Sequence, residues 1–167
     1  MPIRFVAPPQ QPSDPPPRPA DWAGPEEWNA VCRRLEQEAV QRGGSYLREP
    51  GWLSLIPPGE TRADQGDPVT VTYRDDGNVR IDAGIFGNFH AGCGPSTVGS
   101  IVVAIMNGDM TETVEVTEDG IWLSATAQVF HGGEPFEVRR ENWAAEPGKP
   151  HVTITWRVAG WGTTRPR

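Results

Sequence analysis

The chain has 167 residues, 37% of them hydrophobic, and its 15 basic and 22 acidic side chains leave a net charge of −7 with a pI near 4.9. That length allows one domain with a real core plus an appendage, and the acidic balance argues against nucleic acid or an anionic membrane surface as a partner, since both need a basic face. No apolar run approaches the roughly 20 residues that span a bilayer, and the N-terminus lacks the continuous apolar stretch of a signal peptide, so the expected location is the cytoplasm or a particle assembled there, such as a virion.

Residues 1–20, "MPIRFVAPPQQPSDPPPRPA", hold eight prolines. Proline fixes φ and removes a donor, so the segment reads as an extended, polyproline-like arm that cannot enter a sheet interior. "PPPRP" also resembles a generic ligand of polyproline-binding grooves. The arm carries one apolar scrap, with Ile3, Phe5 and Val6 as the anchor at its tip. Such a segment has little surface with which to hold itself. The expectation is that another chain holds it, or that it lies across its own domain over an aromatic such as Trp122. Residues 21–167 then form the β domain.

"GPEEWNAVCRRLEQEAVQRGG" predicts a helix over about 25–42. Pro25 suits the first helical position, and Glu26 and Glu27 complement the positive end of the dipole. Trp28, Val31, Cys32, Leu35 and Ala39 form one apolar stripe, and Gly43-Gly44 ends it. Cys32 lies in that stripe and reads as core.

The stretch from Tyr46 to Pro68 reads as a wandering loop, broken by prolines and glycines, with Trp52, Leu53, Leu55 and Ile56 tucked onto the core. From Val69 the period becomes two. Val69, Val71 and Tyr73 share one face of "VTVTYR"; Val79, Ile81 and Ala83 share one face of "VRIDA"; "DDGN" between them makes a hairpin. "SIVVAIM" is ambiguous. Its β-branched density and the Asn107-Gly108 that follows favour a strand and hairpin, while Val98, Ile101, Val102 and Ile105 fit a helix stripe. "ETVEVT", "IWLSATAQVF", "PFEVRREN" and "HVTITWRV" complete six clear strands joined by short turns. Strict alternation along "IWLSATAQVF" puts Trp122 and Phe130 on the face opposite Ala125, Ala127 and Val129, as a contact surface. The fold class that follows is mainly β: a single antiparallel sandwich or barrel-like domain with one packed helix and an extended arm.

Chemistry concentrates in "GNFHAGCGPSTVGS", residues 87–100. Its Cys-Gly-Pro, followed by small residues and an apolar stretch, resembles the nucleophile segment of papain-like cysteine peptidases of the bacteriocin-processing kind. The resemblance covers about fifteen residues. It implies Cys93 as a nucleophile activated at a helix N-terminus, His151 as its base, and an upstream amide, Asn88, at the oxyanion hole. The chain departs from that pattern in three ways. Gly87 stands where glutamine is expected, no Asp, Asn, Glu or Gln follows His151, and most of the segment between Cys93 and His151 has strand character where that fold has helices. The alternative is structural: the glycines serve a bend between strands and Cys93 packs there.

A zinc site at His90 and Cys93 would need Cys32, His131 or His151 as further ligands, and these fall on a helix stripe, in a turn and on a strand. The acidic run Asp109, Glu112, Glu115, Glu118 and Asp119 lacks calcium-loop spacing and reads as a solvated face. No phosphate-binding loop, dinucleotide fingerprint or hydrolase elbow occurs, so no metal and no cofactor is expected. Pairing of Cys32 with Cys93 is left open. The reading that follows is a non-enzymatic structural or interaction protein of a multi-subunit assembly, such as a bacteriophage capsid or tail accessory protein. An acidic binding or immunity-type module and a cysteine hydrolase are the alternatives.

Overall fold

The computed structural model of the chain describes residues 25–59, 68–74, 78–91 and 94–161. Along them run α1 (Pro25–Gln41), β1 (Ser45–Glu49), β2 (Trp52–Ile56), β3 (Val69–Tyr73), β4 (Val79–Ala83), β5 (Gly87–Ala91), α2 (Pro95–Met106), β6 (Met110–Thr117), β7 (Trp122–His131), β8 (Glu134–Glu141) and β9 (His151–Arg157). The strands form two antiparallel sheets, one a meander in the order β1-β2-β3-β4-β5 and the other in the order β8-β7-β6-β9. The architecture is mainly β, as the periodicity predicts. The arm with Ile3, Phe5 and Val6, and also Cys93, lie outside the described residues. No helix among the described residues is long and apolar enough to cross a membrane.

Helix α1 starts and stops where its sequence signals lie. Gly43, at φ +78, is the left-handed residue past its end. The Gly43 N–H then bonds to Val40 O (3.0 Å) and Gly44 N–H to Ala39 O (2.9 Å), closing a Schellman motif. The predicted stripe is the buried one: Trp28, Val31, Cys32, Leu35 and Ala39 all belong to the main core.

Two local readings are overturned and one left open is decided. The Tyr46–Pro68 stretch is not all loop, because Pro50-Gly51 is a turn and not a breaker. Gly51 stands at φ +72 and Glu49 pairs with Trp52, so β1 and β2 form a hairpin around a proline–glycine turn. Leu53 and Leu55 point into the core from it. "GNFHA" is likewise not a bend but edge strand β5, registered on β4 with Ile81 opposite Phe89. "SIVVAIM" is a helix, so the domain has two helices where one was expected.

The third result has a clear cause. In α2, Val98, Ile101, Val102, Ala104, Ile105 and Met106 are all buried, a helix apolar nearly all round because it is enclosed by α1, β4 and β7. Burial on every side outweighs the strand propensity of its β-branched residues. Asn107-Gly108 is its C-terminal cap: Asn107 N–H bonds to Val103 O and Asp109 N–H to Ala104 O, both at 2.9 Å, with Gly108 at φ +80. After β9 the chain returns to this corner, where Trp161 N–H donates to Met106 O at 2.6 Å.

Candidate functional site

A β-bulge builds the most distinctive surface. In the β6–β7 ladder Glu115 faces Ser124, but Val116 faces Trp122, so Leu123 is the extra residue. The bulge shifts side-chain parity by one. Trp122 therefore turns to the inner face, against the expectation from strict alternation, while Phe130 remains on the outer face and is 53% exposed. The two residues assigned to one contact surface sit on opposite faces.

On the inner face Trp122 joins a second, smaller core. Phe86, from the turn between β4 and β5, is its centre, with Val114, Val116 and Ala125 as the floor. The Phe86 ring lies 6.3 Å from Trp122 and 6.2 Å from Trp156, both tilted. Trp122, Ile154 and Trp156 are only partly buried. Val152, one register step on and opposite Val116, is 54% exposed, and Ile85 and Ile121 are exposed beside Phe86 and Trp122. This end of the sandwich is apolar and open.

Beneath it lies Glu112, completely buried. Its Oε1 accepts hydrogen bonds from Phe86 N–H (2.5 Å) and Gly87 N–H (3.2 Å), and its Oε2 accepts one from the Trp156 indole N–H (3.0 Å). Burial raises its pKa; the N–H donors of Phe86, Ile85, Trp156 and Gly87 oppose the shift without cancelling it. Gly84, at φ +65, lets the turn approach, since a Cβ there would stand 2.6 Å from Glu112 Oε1. Glu112 thus ties the β4–β5 turn of one sheet to two strands of the other. The reading of the acidic run as a solvated face is wrong at this position. The signal was present: Glu112 shares parity with Met110, Val114 and Val116.

Of the residues of the cysteine-peptidase pattern, Asn88 and His151 are described, and they lie apart. Helix α2 begins two residues after Cys93, as the resemblance implies. Asn88 lies on β5 and donates Nδ2 to Asp82 Oδ1 at 2.7 Å. His151 opens β9 on the outer face of the other sheet, in a groove of about 850 Å³ beside Trp143, which is 76% exposed. There Ser124 Oγ donates to Glu115 Oε2 at 2.5 Å, and His151 Nε2 stands 3.7 Å from Glu115 Oε1. The order is hydroxyl, carboxylate, imidazole, whereas a nucleophile relay requires the imidazole in the middle. Asn88 and His151 line different clefts.

Cys32 is a free, buried thiol, and burial pushes its pKa up to about 11. Among the described residues no three His, Cys, Asp or Glu side chains converge as metal ligands. The chain matches no family model, no curated protein and no solved structure.

Proposed function

We propose that the protein is a non-enzymatic interaction component of a multi-subunit assembly, in which the apolar tip of one subunit's N-terminal arm, Ile3, Phe5 and Val6, seats on the aromatic end of a neighbour. A bacteriophage capsid or tail accessory protein is the setting that fits. The observation supporting this is the open end itself: Trp122 turned inward by the bulge, with Val152, Ile85 and Ile121 exposed around it. Isolated exposed apolar residues are ordinary, but contiguous ones at the rim of a core are a contact surface. The arm has the complementary composition, a short apolar tip on a stiff proline tether, and tethered contacts gain strength from repetition in an assembly.

Size-exclusion chromatography with light scattering tests the reading. The full chain is expected to run as a discrete oligomer. Deleting residues 1–20, or replacing Phe5 with Asp, converts it to a monomer with an unchanged melting temperature. A full chain that is monomeric, or an oligomer that survives the deletion, overturns the proposal. A monomer that loses stability on deletion assigns the arm to its own domain. The net charge of −7 favours a second reading, an acidic module that neutralises a basic partner; a monomer indifferent to the deletion points there.

A further inference from the structure

Arg140 occupies an unusual place. On β8 it stands opposite Ala125, which puts it on the inner face in alternation with Val138 and Phe136. Those two pack against the core. Arg140 instead reaches a small polar cleft of about 210 Å³ between the sheets, lined also by Thr70, Asp82, Gly84 and Asn88. Among the described residues its side chain has no hydrogen bond and no ion pair.

The carboxylate in that cleft is already occupied. Asp82 Oδ1 accepts from Arg80 Nε (3.0 Å), from Arg80 Nη2 (2.9 Å) and from Asn88 Nδ2 (2.7 Å), and its Oδ2 accepts from Arg80 Nε (2.9 Å). Glu112, the other acid near this turn, faces Phe86, Gly87 and Trp156. Arg80 therefore holds the one carboxylate in the cleft, and Arg140 makes no ion pair with it. Burial, and then the charge of Arg80, pull the Arg140 pKa down, with Asp82 the opposing influence. A half-buried arginine in this position is a cation short of a counter-charge, which is costly unless something supplies one.

We propose that this cleft binds a small oxyanion, a carboxylate or phosphate group, with Arg140 as its principal ligand. The guanidinium presents a planar fork suited to two oxygens. Asn88, with one amide N–H engaged by Asp82, offers its second at the same rim. The cleft is smaller than the 300–1,000 Å³ or so that encloses a whole cofactor, so it takes one charged group and not a nucleotide. The group comes either from a free anion or from an acidic side chain of a partner. The site stands independently of the assembly reading.

The test is an NMR titration of the full chain at constant ionic strength with three probes: inorganic phosphate, acetate and N-acetyl-aspartate amide, with chloride as the reference. Saturable shifts of the Gly84–Asn88 amides and of the Arg140 Nε–Hε resonance are expected for at least one probe. Arg140→Gln weakens that binding at least about tenfold, Arg140→Lys keeps the charge but loses the fork and weakens it less, and Arg139→Gln on the outer face leaves it unchanged. The amide spectra of the variants verify the fold. A response to phosphate alone assigns a free or phosphoryl anion, and a response to the aspartate probe assigns a side chain. No saturable shift with any probe, or equal affinity in wild type and Arg140→Gln, overturns the site.

Discussion

Trp156 on β9 and Glu112 on β6 face each other across the ladder, and the indole N–H donates to the buried carboxylate at 3.0 Å. The same carboxylate holds the β4–β5 turn through Phe86 and Gly87, so one acid links three separate pieces of backbone. Its removal takes away the carboxylate acceptor that these three N–H donors share, and a donor left buried and unpaired costs about 1–3 kcal/mol. Glu112→Leu is expected to lower stability by at least about 2 kcal/mol in urea denaturation. A midpoint equal to wild type would show that the donors find other partners.

The same group carries a pH signature. Burial raises the Glu112 pKa in the folded protein above its ordinary value of 4.5. The folded state then holds the proton more tightly than the unfolded chain. The stability Glu112 contributes is fully present below about pH 4.5 and is lost as pH rises through the folded value. Wild type should therefore lose stability relative to Glu112→Gln between pH 4.5 and 7. A difference between the two proteins that stays constant over that range would mean the carboxyl titrates as it does in the unfolded chain.

Gly84 provides a separate check on the same contact. Its φ is +65, and an added Cβ would meet Glu112 at 2.6 Å; Gly120, at φ +79, has open space around it. Gly120→Ala should cost only the left-handed backbone strain, about 1 kcal/mol. Gly84→Ala should cost clearly more, and the excess should shrink in a Glu112→Ala background. Equal costs at the two glycines would place the turn farther from Glu112.

On α1 the buried and exposed faces should separate cleanly. Leu35 is fully buried, and Leu35→Ala is expected to cost about 2–5 kcal/mol. Glu38→Ala removes the Arg42 ion pair at 3.3 Å and should cost less than about 1 kcal/mol. Thermal or chemical denaturation reads both.

The two cysteines make opposite claims on alkylation chemistry. Cys32, with its thiol pushed up to about 11, has a thiolate fraction at pH 7 of about one in ten thousand. Mass spectrometry after native iodoacetamide treatment should find Cys32 unmodified and, after denaturation, labelled. Cys93 decides between the structural and the cysteine-peptidase readings of its segment. Labelling faster than a free-thiol control supports a nucleophile; ordinary or slow labelling supports a packed residue.

Local pattern by itself determined the fold class, the α1 stripe, the β3–β4 hairpin and the strand character of β6, β7 and β8, because periods of 3.6 and 2 are properties of the backbone and need no partner. It was also enough to show that Glu112 has core parity, although composition drew the reading toward a solvated acidic face. Tertiary structure decided the rest. Whether residues 95–106 become strand or helix depends on what encloses them, and a site apolar on every side accepts a helix of β-branched residues. The direction of Trp122 depends on one unpaired residue, Leu123, and a bulge leaves no mark in an alternating sequence. The pairing of Asp82 with Arg80 and Asn88 lies within the β4–β5 hairpin of one sheet, whereas the arrival of Arg140 from β8 of the other sheet at the same cleft is set by how the sheets pack and not by spacing along the chain.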